Sequence, residues 1–279
     1  MLPRITIFIA YLLHCLRLKA KPWHFFKINA AYFNDDKGLF SKQDINQLIP
    51  SRWRLHQEPD NGVSKPTRFP VFVKPEWGQN ATGVCRVDNQ HQLEQIRLNK
   101  KHQPIPYLIQ ESAAGHREFE LYLIRSDESV DQFLTLSITE VINTSGDALP
   151  VNSAYSAHTF YIDLSSQFSS KQLDELWQHL KTISQFKMAR FGIRADSIEN
   201  LLEGNFKIFE INLLLPMPLA LLSENIEIPG KLALACLFAK HLAQVTKTLP
   251  EKKSQKSIFF QTFFGKKGNL TLQNENVAL

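Results

Sequence analysis

Asp196, Glu210 and Asn212 lie within GIRADSIENLLEGNFKIFEIN, residues 192–212. Two strand-like segments there flank the polar turn Glu203-Gly204-Asn205, and Gly followed by Asn tolerates the positive φ of a tight turn. A hairpin folded about Glu203 puts Asp196 seven positions before the fold and Glu210 seven after it. The two carboxylates then face each other on adjacent antiparallel strands. Asn212, two residues beyond Glu210, shares its face because side chains alternate along a strand. Two carboxylates and an amide oxygen suit a hard divalent cation, Mg2+ or Mn2+, which keeps waters and phosphate oxygens as further ligands. A surface hairpin with solvated acids carries the same signature.

A second group of residues suits a polyanion. Lys74 ends the apolar run Phe69-Pro70-Val71-Phe72-Val73 and enters the loop Gly78-Gln79-Asn80-Ala81-Thr82-Gly83. Backbone N–H groups of a glycine-bearing loop beside an ammonium make a phosphate cradle. The spacing is neither that of a P-loop nor that of a dinucleotide fingerprint, and a plain turn with a snorkelling lysine also fits. Glu111 and Glu118 flank the turn Ala113-Ala114-Gly115. One is placed to meet an adenine at a hinge and the other to accept hydrogen bonds from ribose hydroxyls. Exposed strand-end acids are the alternative.

The elements that must position these residues alternate irregularly. Strands are expected over 69–73, 84–87, 107–111, 118–124 and 132–143, with helices over 89–100, 169–189 and 230–244. In the first of these helices Leu93, Ile96 and Leu98 point inward. In the second, Leu173, Leu176, Trp177, Leu180 and Ile183 share a face. Ser41 caps a short helix over 42–48. Leu213 to Pro218 is an apolar, proline-broken loop. The pattern is α+β with mainly antiparallel sheets.

The chain has 279 residues, 43% hydrophobic and 21% charged, which suffices for a sizeable core. Three distant cysteines argue against a disulfide framework and for a reducing, cytoplasmic setting. The net charge of +5 comes without an arginine-rich stripe, so nucleic acid is not indicated. Residues 5–18 are an apolar run too short to span a bilayer and read as a helix docked on the body or lying at a membrane surface. The tail beyond Pro250 is Lys-rich with interleaved Phe and reads as partly ordered or as a docking segment.

Taken in order, FVKPEWGQNATGV, YLIQES with GHREFE, RFGIRAD and FEIN with its following Leu-Pro resemble the ATP-grasp superfamily, most nearly its D-alanine–D-alanine ligase branch. The four motifs span roughly 150 residues. The resemblance implies two α+β subdomains with mainly antiparallel sheets gripping ATP between them. Residues 61–115 form the lid subdomain and 116–250 the subdomain with the metal site. They are preceded by a reduced N-terminal region, 1–60, and followed by the basic tail, 251–279. It implies Lys74 on the nucleotide phosphates and residues 78–83 as a glycine-rich lid. Glu111 stands at the adenine hinge, Glu118 on ribose, Asp196, Glu210 and Asn212 on Mg2+, and Arg194 against charge on the reacting group. A second phosphate-binding lysine is expected upstream, Lys42 or else Lys37.

The implied activity joins an acid to an amine, or a thiol, through an acyl phosphate. Small-molecule acid and amine substrates are the implied partners, with a homodimer or partner subunit completing the substrate site. The departures concern the substrate side. The usual N-terminal domain is reduced, Tyr155 and His158 stand where D-alanine ligases carry a lysine, and Leu214-Leu215-Pro216-Met217-Pro218 replaces a Ser/Thr-Pro-Gly turn. An ATP-binding regulatory or assembly module without ligase activity is the alternative. An unrelated α+β interaction protein is the third reading.

Overall fold

A computed structural model describes residues 2–78, 81–100, 106–250 and 258. Gln79 and Asn80, expected in the glycine-rich lid, and most of the basic tail beyond Pro250 lie outside the described residues. In chain order the elements are α1 (Leu2–Leu18), α2 (Lys42–Gln47), β1 (Gln57–Pro59), β2 (Val71–Pro75), β3 (Cys85–Val87), α3 (Gln90–Lys100), β4 (Tyr107–Glu111) and β5 (Arg117–Arg125). They continue with β6 (Phe133–Asn143), β7 (Thr159–Asp163), α4 (Ser170–Leu180), β8 (Met188–Ala195), α5 (Ile198–Glu203), β9 (Lys207–Asn212) and α6 (Ile228–Thr248).

The fold is α+β, with two sheets. The smaller has the order β1-β4-β2-β3 and is antiparallel throughout. Its apolar face gathers Val71, Val73, Val87 and Ile109 against Leu93 of α3. Leu98, expected to face inward, is 66% exposed. Eleven residues of α3 carry few apolar side chains, and the small core is closed by Leu93 with partial help from Ile96.

The larger sheet has the order β7-β6-β5-β8-β9, also antiparallel throughout. Alternation on the central strand β5 sends Phe119, Leu121 and Leu123 into the main core and Glu118 and Glu120 to the opposite face. On β8 the core takes Ala189, Phe191, Ile193 and Ala195, which leaves Arg190, Gly192 and Arg194 on the other side. Segment 159–163 is the edge strand β7, in addition to the strands expected from the sequence.

Two expected elements end differently. The helix predicted over 169–189 starts at a capping box, with Ser169 and Gln172 bonding each other's backbone N–H, but stops at Leu180. The chain turns through Ser184, at φ +53, and enters β8. Ile183 and Phe186 are still fully buried, so their apolar spacing continues the helical pattern without the helix. The hairpin about Glu203 is also replaced. β8 and β9 are antiparallel neighbours, but α5 joins them. Ser197 accepts the N–H of Asn200 as N-cap, and Gly204 takes the left-handed C-terminal position at φ +80.

This insertion moves the register. Gly192, not Asp196, stands opposite Glu210. Asp196 lies beyond the end of β8, 61% exposed, with its carboxylate 2.6 Å from His116 Nδ1. The predicted facing of Asp196 and Glu210 is therefore incorrect. The sequence distances were symmetrical, but a six-residue helix takes up chain unequally on the two sides of Gly204.

Three of the ties between layers among the described residues bear on the site. α1 docks on α6 through Ala10, Tyr11 and Cys15, and Tyr11 Oη bonds Thr246 Oγ1 at 3.1 Å. Trp53 stacks on Phe206 and donates Nε1–H to the Gly204 carbonyl at 2.8 Å. The third tie lies in the cleft.

Candidate functional site: a charged cleft between the two sheets

A cleft of about 370 Å3 separates the inner faces of the two sheets. That volume lies in the range of small-molecule sites. Its small-sheet side carries Phe72, Lys74, Gln110 and Glu111, and its large-sheet side carries Glu118, Glu120, Arg190, Arg194, Glu210 and Asn212. Tyr155 and the wall Leu214 to Met217 close the far end.

The sheets meet at a β-bulge. The pairing of β8 with β9 runs Gly192 to Glu210 and then Ile193 to Ile208, which leaves Phe209 as the extra residue. The bulge sends the Phe209 carbonyl to the small sheet, where it accepts from Lys74 Nζ at 3.1 Å and from Gln110 Nε2 at 3.1 Å. Lys74 Nζ also donates to Gln110 Oε1 at 3.0 Å. The bulge turns the Phe209 ring over Gly192 as well. A Cβ built at Gly192 would come within 2.5 Å of that ring.

Beside the bulge, Lys42 Nζ sits 3.4 Å from Glu210 Oε1 and 3.3 Å from the carbonyl of Gly78. Lys42 is held there because Ser41 caps α2, accepting from the Asp44 N–H. Asn212 Nδ2 donates to Glu210 Oε2 at 3.0 Å, as strand alternation requires. Lys37 belongs elsewhere, 2.6 Å from Glu76 and 3.6 Å from Asp44. Of the two upstream candidates Lys42 is thus the one beside Glu210, in a small recess next to the cleft that Lys74, Phe209 and Glu210 also line.

Burial pushes the Lys74 ammonium down to about 7, aided by the Lys42 charge and opposed by Glu210. Burial also acts to raise Glu210, but the charges of Lys42 and Lys74 overcome it and hold this carboxylate below its ordinary range. Burial pushes the Glu120 carboxyl up to about 8, against the pull of Arg190 and with the help of Glu210 and Glu118. Glu118 is raised too, by burial, in spite of Arg194.

Two predicted residues pair with each other. Arg194 Nη2 donates to Glu118 Oε2 at 3.1 Å, and both side chains are nearly buried. Glu118 is thus engaged by a guanidinium within the cleft. Glu111 is exposed and accepts the His56 N–H at 2.7 Å through Oε1. The Gly78 carbonyl accepts from Lys42, Thr82 and Gly83 are exposed, and Ala81 and Val84 supply that part of the lining.

Sequence reasoning missed Arg190 and Glu120. Arg190 Nε lies 3.2 Å from Glu120 Oε2, yet neither atom has an aligned hydrogen-bond partner among the described residues. A buried guanidinium and a buried carboxyl, misaligned with each other and facing a cavity, mark a place where a polar ligand can complete the bonding. The signal was available: Arg190 and Arg194 are four apart, hence on one face of a strand, as are Glu118 and Glu120.

The expected metal set does not assemble. Asp196 is outside the cleft, Gly192 stands opposite Glu210, and no group of three acid, His or Cys side chains is placed to hold a metal among the described residues. Glu210 and Asn212 remain, but Asn212 donates to Glu210 and Lys42 neutralises it. This donor set does not fit a resident Mg2+ held by the protein alone.

Among solved structures, the chain is similar to D-alanine–D-alanine ligase from Bacillus anthracis. The identity is 14% and the TM-score 0.47, over 74% of this chain and 65% of that one. It is also similar to a D-Ala:D-Ser ligase from Enterococcus faecalis, at 12% identity and TM-score 0.49, over 74% of this chain and 61% of that one. An L-amino acid ligase from Bacillus licheniformis matches at 15% identity and TM-score 0.45, over 72% of this chain and 47% of that one. The chain thus spans less than two thirds of the length of each of these ligases. No family model matches the sequence, and no curated protein matches it.

Proposed function

We propose that the cleft binds ATP and uses it to activate a carboxylate for attack by an amine or a thiol, the ATP-grasp reading of the sequence. The observation that carries this is the meeting of Lys42, Lys74 and Glu210 at the tie between the two sheets. Three separate segments deliver these residues: Lys74 and Glu210 belong to two of the ordered motifs, and Lys42 is the upstream lysine that the resemblance calls for.

In this reading Lys42 and Lys74 exchange their internal partners, Glu210 and the Gly78, Gln110 and Phe209 oxygens, for phosphate oxygens. Phosphoryl transfer requires positioning and charge neutralisation more than a strong base. Arg190, with its unaligned Nε, is placed to receive the carboxylate of the acid substrate, and Arg194 holds Glu118 beside it. Transfer of the γ-phosphoryl group to that carboxylate releases ADP. Attack by the nucleophile on the acyl carbon then expels phosphate. A divalent ion arriving with the nucleotide would supply further charge neutralisation, with Glu210 and Asn212 as its protein contacts. The Leu214 to Met217 wall favours an acid with an apolar body over D-alanine.

ADP release that requires ATP, an acid and an amine together supports this function. A panel of apolar carboxylic acids with amines or thiols gives no such release if the reading is wrong. A second reading, an ATP-binding module without turnover, is favoured by Gly192 at the position facing Glu210. It predicts ATP binding with no ADP release in any pairing.

A further inference from the structure

We propose that the outer face of α1 is a docking surface for an anionic lipid membrane, separate from the cleft. α1 is apolar on both sides. Ala10, Tyr11 and Cys15 bury one side against α6. On the other side Phe8, Ile9, Leu13 and Leu16 are 62%, 52%, 62% and 79% exposed, and Leu2, Ile5 and Leu12 extend the same face. At 100° per residue these seven positions fall within an arc of about 140°. A helix that is apolar all round is ordinarily covered all round, and a contiguous patch of this kind marks an interaction surface.

The charge around the patch selects the occupant. No acidic residue precedes Asp35, while Arg4, Arg17, Lys19, Lys21 and Lys27 all fall in that stretch. Arg17, Lys19 and Lys21 are exposed at the end of α1, and Trp23, 64% exposed, follows them. Apolar side chains with a Trp and a basic cluster at one edge match the boundary between acyl chains and anionic headgroups. A second copy of the chain fits less well. Two α1 helices packed face to face would bring basic residues together with no acid in the segment to offset them. The helix lies on such a surface and does not cross it, because among the described residues no helix is long and apolar enough to span a membrane.

The test is co-sedimentation of the full chain with vesicles of phosphatidylcholine alone or mixed with phosphatidylglycerol, at low and high salt. Binding is expected to the mixed vesicles and to weaken with salt. The double variant Leu13→Asp/Leu16→Asp, at exposed positions, is expected to bind about tenfold more weakly with an unchanged circular dichroism spectrum and Tm. Arg17→Glu/Lys19→Glu/Lys21→Glu should remove the preference for phosphatidylglycerol. No binding by the wild-type chain, or equal binding by Leu13→Asp/Leu16→Asp, overturns the proposal. So does a wild-type dimer in solution that the same variant dissociates, which would make the face an interface between copies. ATP binding is not involved, so this result stands apart from the fate of the cleft.

Discussion

Lys74 and Glu120 are ionisable groups whose burial opposes the charge each would normally carry, and both titrate near neutrality. Glu120 has a value of about 8 against an ordinary 4.5, so the folded chain keeps a proton that the unfolded chain releases. Its stabilising contribution is complete below about pH 4.5 and is lost as pH rises through about 8. Lys74 has a value of about 7 against an ordinary 10.5, so the folded chain gives up a proton that the unfolded chain keeps. Its cost is complete below about pH 7 and disappears as pH rises toward about 10.5. The two contributions together place a minimum of stability between about pH 7 and 8. Denaturant unfolding across pH should show Glu120→Gln flattening the acid limb only. Anion binding follows the same groups with one sign. As pH rises from about 6 to about 9, Lys74 loses its charge and Glu120 gains one, so ATP affinity should fall. Calorimetry on Lys74→Met should show a shallower pH dependence; an unchanged slope would remove Lys74 from the phosphate site.

The bulge at Phe209 decides what the β8–β9 pair can do. It aims one carbonyl at Lys74 and Gln110, and it lays a ring across Gly192. Gly192→Ala should therefore destabilise the chain by about 1–3 kcal/mol in denaturant unfolding. Adding Phe209→Ala should recover part of that loss, giving a coupling energy between the two sites. Gly192→Asp combined with Phe209→Ala would place a carboxylate opposite Glu210 and should make ATP binding more dependent on Mg2+ than in the wild type. Equal Mg2+ dependence would show that the register does not set the metal requirement. These elements also show what was legible in advance. β2, β4, β5 and β6 were read because alternation and β-branched runs are local. Glu210 and Asn212 share a face because a period of two needs no tertiary knowledge. The turn at Glu203 was misread because Ser197 and Gly204 are helix-capping signals that look like turn residues when only spacing is counted. The bulge could not be read, since it depends on the register between β8 and β9, which the helix α5 between them sets.

At the scale of the whole molecule the two sheets, the α1–α6 pair and the cleft form one connected arrangement. Residues 50–55 run from α2 to the edge of β9, where Ile208 N–H bonds the Trp53 carbonyl at 2.9 Å. That strap carries Lys42 and the small sheet to Glu210, so loosening it should loosen the site. Trp53→Ala should lower Tm and weaken ATP binding together, whereas Asp196→Asn, on an exposed residue paired with His116, should leave both unchanged. Ordered motifs made the cleft legible because each supplies one lining segment. The spacing of Arg190 from Arg194 and of Glu120 from Glu118 puts each on the cleft face, but that Arg190 and Glu120 meet follows only from the pairing of β5 with β8.

The most direct measurement is calorimetric titration of ATP, with and without Mg2+, into the wild-type chain, Lys74→Met, Glu210→Gln and Asp196→Asn. The cleft assigned above predicts binding by the wild type, a loss of about tenfold or more in affinity for Lys74→Met, a change in Mg2+ response for Glu210→Gln, and wild-type behaviour for Asp196→Asn. Wild-type affinity retained in Lys74→Met, or binding lost in Asp196→Asn, would contradict it.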